Sequence, residues 1–107
     1  MELTQPLLDE IVSRIVEHVH PERILLFGSY ARGVAHEGSD LDLLVVVSET
    51  MPRRECSVRL YRALAGIGIS KDIVVVHPSD LARLTGVPGT IVAPAVAEGK
   101  VLYDAAA

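Results

Sequence analysis

The sequence predicts an α/β domain, a small sheet flanked by helices, and three observations carry that expectation. Three short runs rich in Val, Leu and Ile (Arg23–Phe27, Asp40–Val47 and Lys71–Val76) have the length and β-branched content of strands. Segments with helical spacing of apolar residues alternate with them, an order that points to helices layered on a sheet. The length, 107 residues, leaves room for one core. Residues 1–104 are therefore read as a single domain, and Ala105 to Ala107 as a frayed end or cloning remnant.

Taken in order, Pro6 to His18 places Leu7, Leu8, Ile11, Val12, Ile15, Val16 and Val19 on one helical face, with Pro6 suited to a first turn. Arg23–Phe27 is a strand bounded by Pro21 and Gly28. Ser29 to Arg32 opens a short helix that ends at Gly33. Asp40–Val47 is the strongest strand, apolar on both faces after its first three positions. A helix follows from about Pro52 to Ala65, with Gly66 and Gly68 marking its end. Lys71–Val76 is a third strand, stopped by Pro78, and Ser79 and Asp80 offer an N-cap for a short helix. Pro88 and Gly89 break the chain, Thr90 to Glu98 reads as a last helix closed by Gly99, and Val101 to Tyr103 as a small terminal strand. These patterns leave the strand directions open.

Composition narrows the function classes. Half of the residues are hydrophobic and four are aromatic, so the core is aliphatic and the chain reads as soluble and globular. The net charge of -4, with basic residues scattered, argues against long nucleic-acid duplexes as partners. It does not exclude a triphosphate, because metal ions can carry the positive charge. The lone Cys56 has no disulfide partner, and no signal or membrane-spanning run is evident, so a cytoplasmic location is expected. His18, His20, His36 and His77 have no ligand spacing with one another or with Cys56, which argues against zinc.

The chemistry concentrates in mid-chain. Gly28 and Ser29 follow a strand and open a helix, where free backbone N–H groups favour phosphate. Alone, that pair is equally an ordinary strand-to-helix turn. Asp40 and Asp42 stand two apart on a strand and so share a face, opposite Leu41 and Leu43. Two carboxylates held so close repel unless a cation lies between them, and hard Mg²⁺ ions take such oxygen ligands together with substrate phosphates. Asp72 starts the third strand, from which a neighbouring position would bring it beside the other two. A solvated strand end explains any one of these aspartates, but poorly explains all three together with a phosphate-suited turn upstream.

Gly28-Ser29, ten intervening residues, then Asp40-Leu41-Asp42 and an apolar run resembles the motif of the polymerase-beta-type nucleotidyltransferase superfamily. The string GSYARGVAHEGSDLDLLVVV, the later KDIVVV and the ending AEGKVLYD are similar to its minimal nucleotidyltransferase (MNT) group. The resemblance spans most of the chain from Arg23 to Asp104. It implies a small mixed sheet with flanking helices. It further implies that Asp40 and Asp42 bridge two Mg²⁺ ions, that Asp72 completes the site and accepts the proton of the attacking hydroxyl, and that Gly28 and Ser29 hold ATP's triphosphate. The implied chemistry is in-line attack on the α-phosphate with pyrophosphate leaving, between metals ~3.5–4 Å apart. Larger relatives carry an added helical domain that grips base or acceptor; this chain ends soon after the core, so another molecule is expected to present the acceptor. The MNT group implies as partner an all-helical ribonuclease toxin called HEPN, neutralised by transfer of AMP to a tyrosine.

Arg32 follows the phosphate turn and is assigned to nucleotide binding, against an equally good reading as an exposed helix-turn arginine. Tyr30 is expected to pack, Lys71 to form a weak surface pair with Asp72, and Cys56 to be buried. Arg53 and Arg54 at a helix start are disfavoured by the dipole, hinting at a partner, with solvation the better account. Two other functions stay open: an antitoxin that works by binding alone, and nucleotidyl transfer to a small molecule such as an antibiotic. A purely structural role leaves the acidic cluster unexplained. Base preference and oligomeric state are not legible, since Ile91, Val92, Ala95 and Val96 suit either core or interface.

Overall fold

The computed structural model describes residues 3–107. Its elements run α1 (Gln5–Val19), β1 (Arg23–Phe27), α2 (Gly28–Arg32), β2 (Leu41–Val46), α3 (Arg53–Ala63), β3 (Lys71–Val76), α4 (Pro78–Leu84), α5 (Val92–Glu98) and β4 (Lys100–Asp104). The strands form one mixed sheet in the order β3-β2-β1-β4. β1 lies antiparallel to both β2 and β4, whereas β2 and β3 are parallel. A parallel pair needs a crossover between its strands, and α3 supplies it.

Alternation along β2 divides the apolar residues between two layers. Leu41, Leu43 and Val45 pack with Ile11, Ile15 and Val19 of α1 and with Cys56 and Leu60 of α3. Leu44 and Val46 face the other way, onto Leu25, Phe27 and Val76 and the α5 residues Val92 and Ala95. Burial on both faces explains why β2 reads as an almost unbroken apolar run. Tyr30 packs against the first of these clusters and Cys56 is buried on α3, both as expected. On α5, Val92 and Ala95 belong to the core, while Ile91 and Val96 are exposed. Among the described residues no helix is long and apolar enough to cross a membrane.

Several boundaries move, each for a local reason. Thr4 caps α1 by accepting from the Leu7 N–H, so the helix begins one residue before Pro6. α5 starts at Val92 rather than Thr90. The later start keeps Pro94 within the first turn, where its missing N–H costs no helical hydrogen bond. The expected cap at Ser79 or Asp80 is instead His77, with Pro78 in the first turn. Beyond β4, Ala105 donates to the Glu22 carbonyl at 2.9 Å and Ala106 to the Asp104 carboxylate at 2.9 Å.

Asp80 is the one buried charged residue among those described, 5% exposed. It accepts from the His77 N–H at 2.8 Å, from Arg53 at 2.8 Å and from Arg83 at 3.2 Å. Arg53 therefore has a partner inside the chain, tying the start of α3 to the start of α4, while its side chain stays more than half exposed, in keeping with the solvated account expected for it. The His77 N–H, more than any other group, holds the Asp80 carboxyl below its ordinary value, 3.8; burial opposes it, and the hydrogen bond and charge of Arg53 and the hydrogen bond of Arg83 add smaller lowering effects. Because the folded value is depressed, the stability contributed by Asp80 is complete above its ordinary value and is lost as pH falls through the lower folded one. Asp80→Ala should cost about 1–3 kcal/mol at neutral pH, most of it from the orphaned His77 N–H, since both arginines are more than half exposed. Urea unfolding at pH 7 and pH 3 checks this: the gap between wild type and variant should narrow in acid, and an equal gap at both values would contradict it.

Candidate active site

The acidic residues gather at one end of the parallel pair. In the β2–β3 register Asp42 lies directly beside Asp72, and Leu41 beside Lys71. Asp42 shares its face with Leu44 and Val46, so it points to the side of the sheet that α5 covers further along. Neighbours on a strand point to opposite faces, so Lys71 does not share the face of Asp72, and among the described residues the expected surface pair between them is absent.

Asp40 falls one residue before β2, not within it as expected. It is held there by Ser70, whose Oγ donates to the Asp40 carboxylate while its carbonyl accepts the Leu41 N–H at 2.8 Å. Ser70 was not singled out in the sequence, because only the parallel register brings residue 70 beside residue 40.

Gly28 joins β1 to α2 at the same end. Phe27 is paired across the antiparallel ladder with Asp42, and the next residue turns sharply, with Gly28 at φ +74°. A side chain there would put its Cβ 2.1 Å from Asp42 Oδ2. The glycine is therefore required twice, by its backbone conformation and by the carboxylate pressed against it. Phe27, at the N-cap of α2, offers no side-chain acceptor, so the first N–H groups of the turn, including that of Ser29, are left without a capping side chain.

Electrostatics mark the same spot. Burial raises the Asp42 pKa above 3.8, repulsion from Asp72 and then Asp40 raises it further, and the Arg32 guanidinium opposes them. The structure thus brings together Asp40, Asp42, Asp72, Gly28 and Arg32. Arg32 is also engaged by a residue the sequence reading passed over: its Nη1 donates to Glu98 Oε1 at 3.0 Å.

Among the described residues no three His, Cys, Asp or Glu side chains converge tightly enough to form a finished cation cage. The donor set nevertheless fits a hard divalent cation that completes its shell with substrate phosphate and water, as Mg²⁺ commonly does. The register that sets Asp42 beside Asp72, with a repulsion that Arg32 offsets only in part, is the observation in favour of that fit.

Comparison with known proteins places this arrangement. A sequence model described as polymerase beta, nucleotidyltransferase, matches residues 9–107. A Methanocaldococcus jannaschii protein named as a candidate protein adenylyltransferase is 33% identical over 107 residues, covering 92% of this chain and 70% of that one. A solved toxin–antitoxin complex with AMP-PNP is similar at 26% identity and a TM-score of 0.62, over 91% of this chain and 73% of the other. A tri-AMPylated Shewanella oneidensis HEPN toxin in complex with MNT antitoxin contains a similar fold, at 22% identity and a TM-score of 0.58, over 95% of this chain and 73% of that one. Matched over residues 9–107 by that family's model and one-third identical to the M. jannaschii protein, this chain belongs to the polymerase beta nucleotidyltransferase family and is a nucleotidyltransferase.

Proposed function

We propose that this protein transfers AMP from ATP to a partner protein, an all-helical HEPN toxin, on a tyrosine hydroxyl, and so acts as an antitoxin. The observation that carries the reading is the register that sets Asp42 beside Asp72 while Gly28 brings the strand-to-helix turn against Asp42. It is supported by the adenylyltransferase name of the M. jannaschii relative and by the AMP-PNP and AMPylated toxin in the similar complexes.

In this reading Asp40, Asp42 and Asp72 would hold two Mg²⁺ ions, which would neutralise the triphosphate and the charge that develops at the α-phosphate. Gly28 leaves room for the Asp42 carboxylate, the turn at Gly28 and Ser29 offers backbone N–H groups to phosphate oxygens, and the Arg32 guanidinium pairs with them. The acceptor oxygen bonds to the α-phosphorus as the bond to the bridging oxygen breaks. Pyrophosphate leaves with that electron pair, and Asp72 takes the hydroxyl proton. Positioning and charge neutralisation, rather than covalent work by side chains, supply most of the rate.

The test is mass spectrometry of a HEPN-domain partner protein, and separately of an aminoglycoside, after mixing with this chain, ATP and Mg²⁺. A gain of one or more AMP units with the unmodified chain, absent with Asp40→Asn, Asp42→Asn, is the expected result. Tight binding with no mass change would overturn catalysis and leave neutralisation by binding. Transfer to an aminoglycoside, with none to the protein, would overturn the acceptor.

A further inference from the structure

The pairing of Arg32 with Glu98 joins segments 66 residues apart, and its surroundings give it more than a surface role. Glu98 is the last residue of α5. At the next position, Gly99, a Cβ would lie 2.1 Å from the Ala95 carbonyl oxygen, so the chain leaves the helix by a turn that only glycine allows. It then enters β4, which pairs with β1 at Leu26 and Lys100. α5 itself rests on the β1 side chains Leu25 and Phe27 through Val92 and Ala95. Glu98 is thus fixed from both sides to β1, the same strand that runs into Gly28 and α2. The ion pair closes the ring between α5 and α2.

We propose that Glu98 is a positioning residue for the nucleotide: it holds the Arg32 guanidinium beside the aspartate cluster so that its remaining donors are set to receive the triphosphate. The inference rests on the reading of Arg32 as a triphosphate ligand. Glu98 takes one Nη1 donor, and a guanidinium carries five N–H donors in a rigid fork, so most of the fork stays available. An arginine already held in place gives up less freedom when it binds phosphate. The Arg32 side chain is 50% exposed and that of Glu98 33%, so the pair contributes little to folding. Its removal should therefore be read in nucleotide affinity, not in the melting temperature.

The experiment is calorimetric titration of the full chain with ATP or AMP in the presence of Mg²⁺, for wild type, Glu98→Ala, Glu98→Gln, Arg32→Ala and the Glu98→Ala, Arg32→Ala double variant, with a thermal melt of each. Glu98→Ala should weaken ATP binding roughly three- to tenfold and leave AMP binding nearly unchanged, because only the triphosphate reaches Arg32. Glu98→Gln keeps an oxygen acceptor for Nη1 and should recover most of the loss. The double variant should bind ATP no more weakly than Arg32→Ala. If Arg32→Ala weakens ATP binding while Glu98→Ala leaves it unchanged or tightens it, the positioning role is overturned and the Arg32 reading stands. Should Arg32→Ala itself leave ATP affinity unchanged, the Arg32 reading fails and the role of Glu98 fails with it. Equal losses for ATP and AMP with a lowered melting temperature would make the pair merely structural.

Discussion

Asp42→Asn is expected to lower nucleotidyl transfer by about three orders of magnitude or more while making the cation-free protein slightly harder to melt at neutral pH. Loss of activity follows from removing the carboxylate that lies between Asp72 and the Gly28 turn. The gain in stability follows from the sign of the pKa shift. Burial first, then Asp72, then Asp40 raise the folded value above 3.8, so the folded chain holds this proton more firmly than the unfolded one. The contribution of Asp42 to stability is then most favourable below its ordinary value and is lost as pH rises through the raised one. At pH 7 the ionised carboxylate is a burden on the fold, which asparagine of the same shape removes. Thermal melts at pH 7 and pH 3 test this: the variant should melt higher at pH 7, with the difference shrinking in acid. Mg²⁺ with ATP should raise the melting temperature of the wild type and do less for the variant. A variant that melts lower at pH 7 would contradict the electrostatic account, and one that retains transfer would remove Asp42 from the active site.

Gly28→Ala is the second large effect. Alanine at φ +74° costs about 1–2 kcal/mol of backbone energy, and its Cβ would also fall 2.1 Å from Asp42 Oδ2 and 3.0 Å from Cγ. The β2 backbone cannot retreat, because it is paired with β1 on one side and β3 on the other. The Asp42 carboxylate must swing away instead, and transfer should fall by about a hundredfold or more, since misplacing a reacting group by an ångström is enough for that. Gly33→Ala is the control: Gly33 has φ +73° but nothing within 4 Å of the added carbon. It should lose stability from the backbone alone and keep its ATP affinity. ATP titration and melting of both variants separate backbone strain from close approach. Near-normal transfer by Gly28→Ala would show that the turn is not part of the site.

Local pattern carried much of the architecture. The apolar run after Asp42, the seven-residue apolar series of α1 and the glycine that ends α2 each act through neighbours in sequence, so their elements were legible; α3 stops at Ala63 with Leu64 as its cap, before the glycines expected to mark its end. That Asp40 and Asp42 fall together at the start of β2 was legible for the same reason, whereas their meeting with Gly28 depends on the antiparallel pairing of β1 with β2. Pro94 shows where local reading faltered: it sits within an apolar stretch that suits a helix, and only its tolerance of the first turn decides where that helix begins.

The sequence by itself determined that this chain is a layered α/β nucleotidyltransferase with Gly28 at the end of one strand and Asp40 and Asp42 at the start of the next. The tertiary structure alone decided that β3 runs parallel to β2 and so brings Asp72 level with Asp42, that Ser70 anchors Asp40, that Arg53 belongs to Asp80, and that Arg32 meets Glu98. Each of these joins residues distant in sequence through charge or hydrogen bonds that act only over a few ångströms. Strand register and helix placement create that proximity, through burial of the whole core, and local sequence pattern does not specify it.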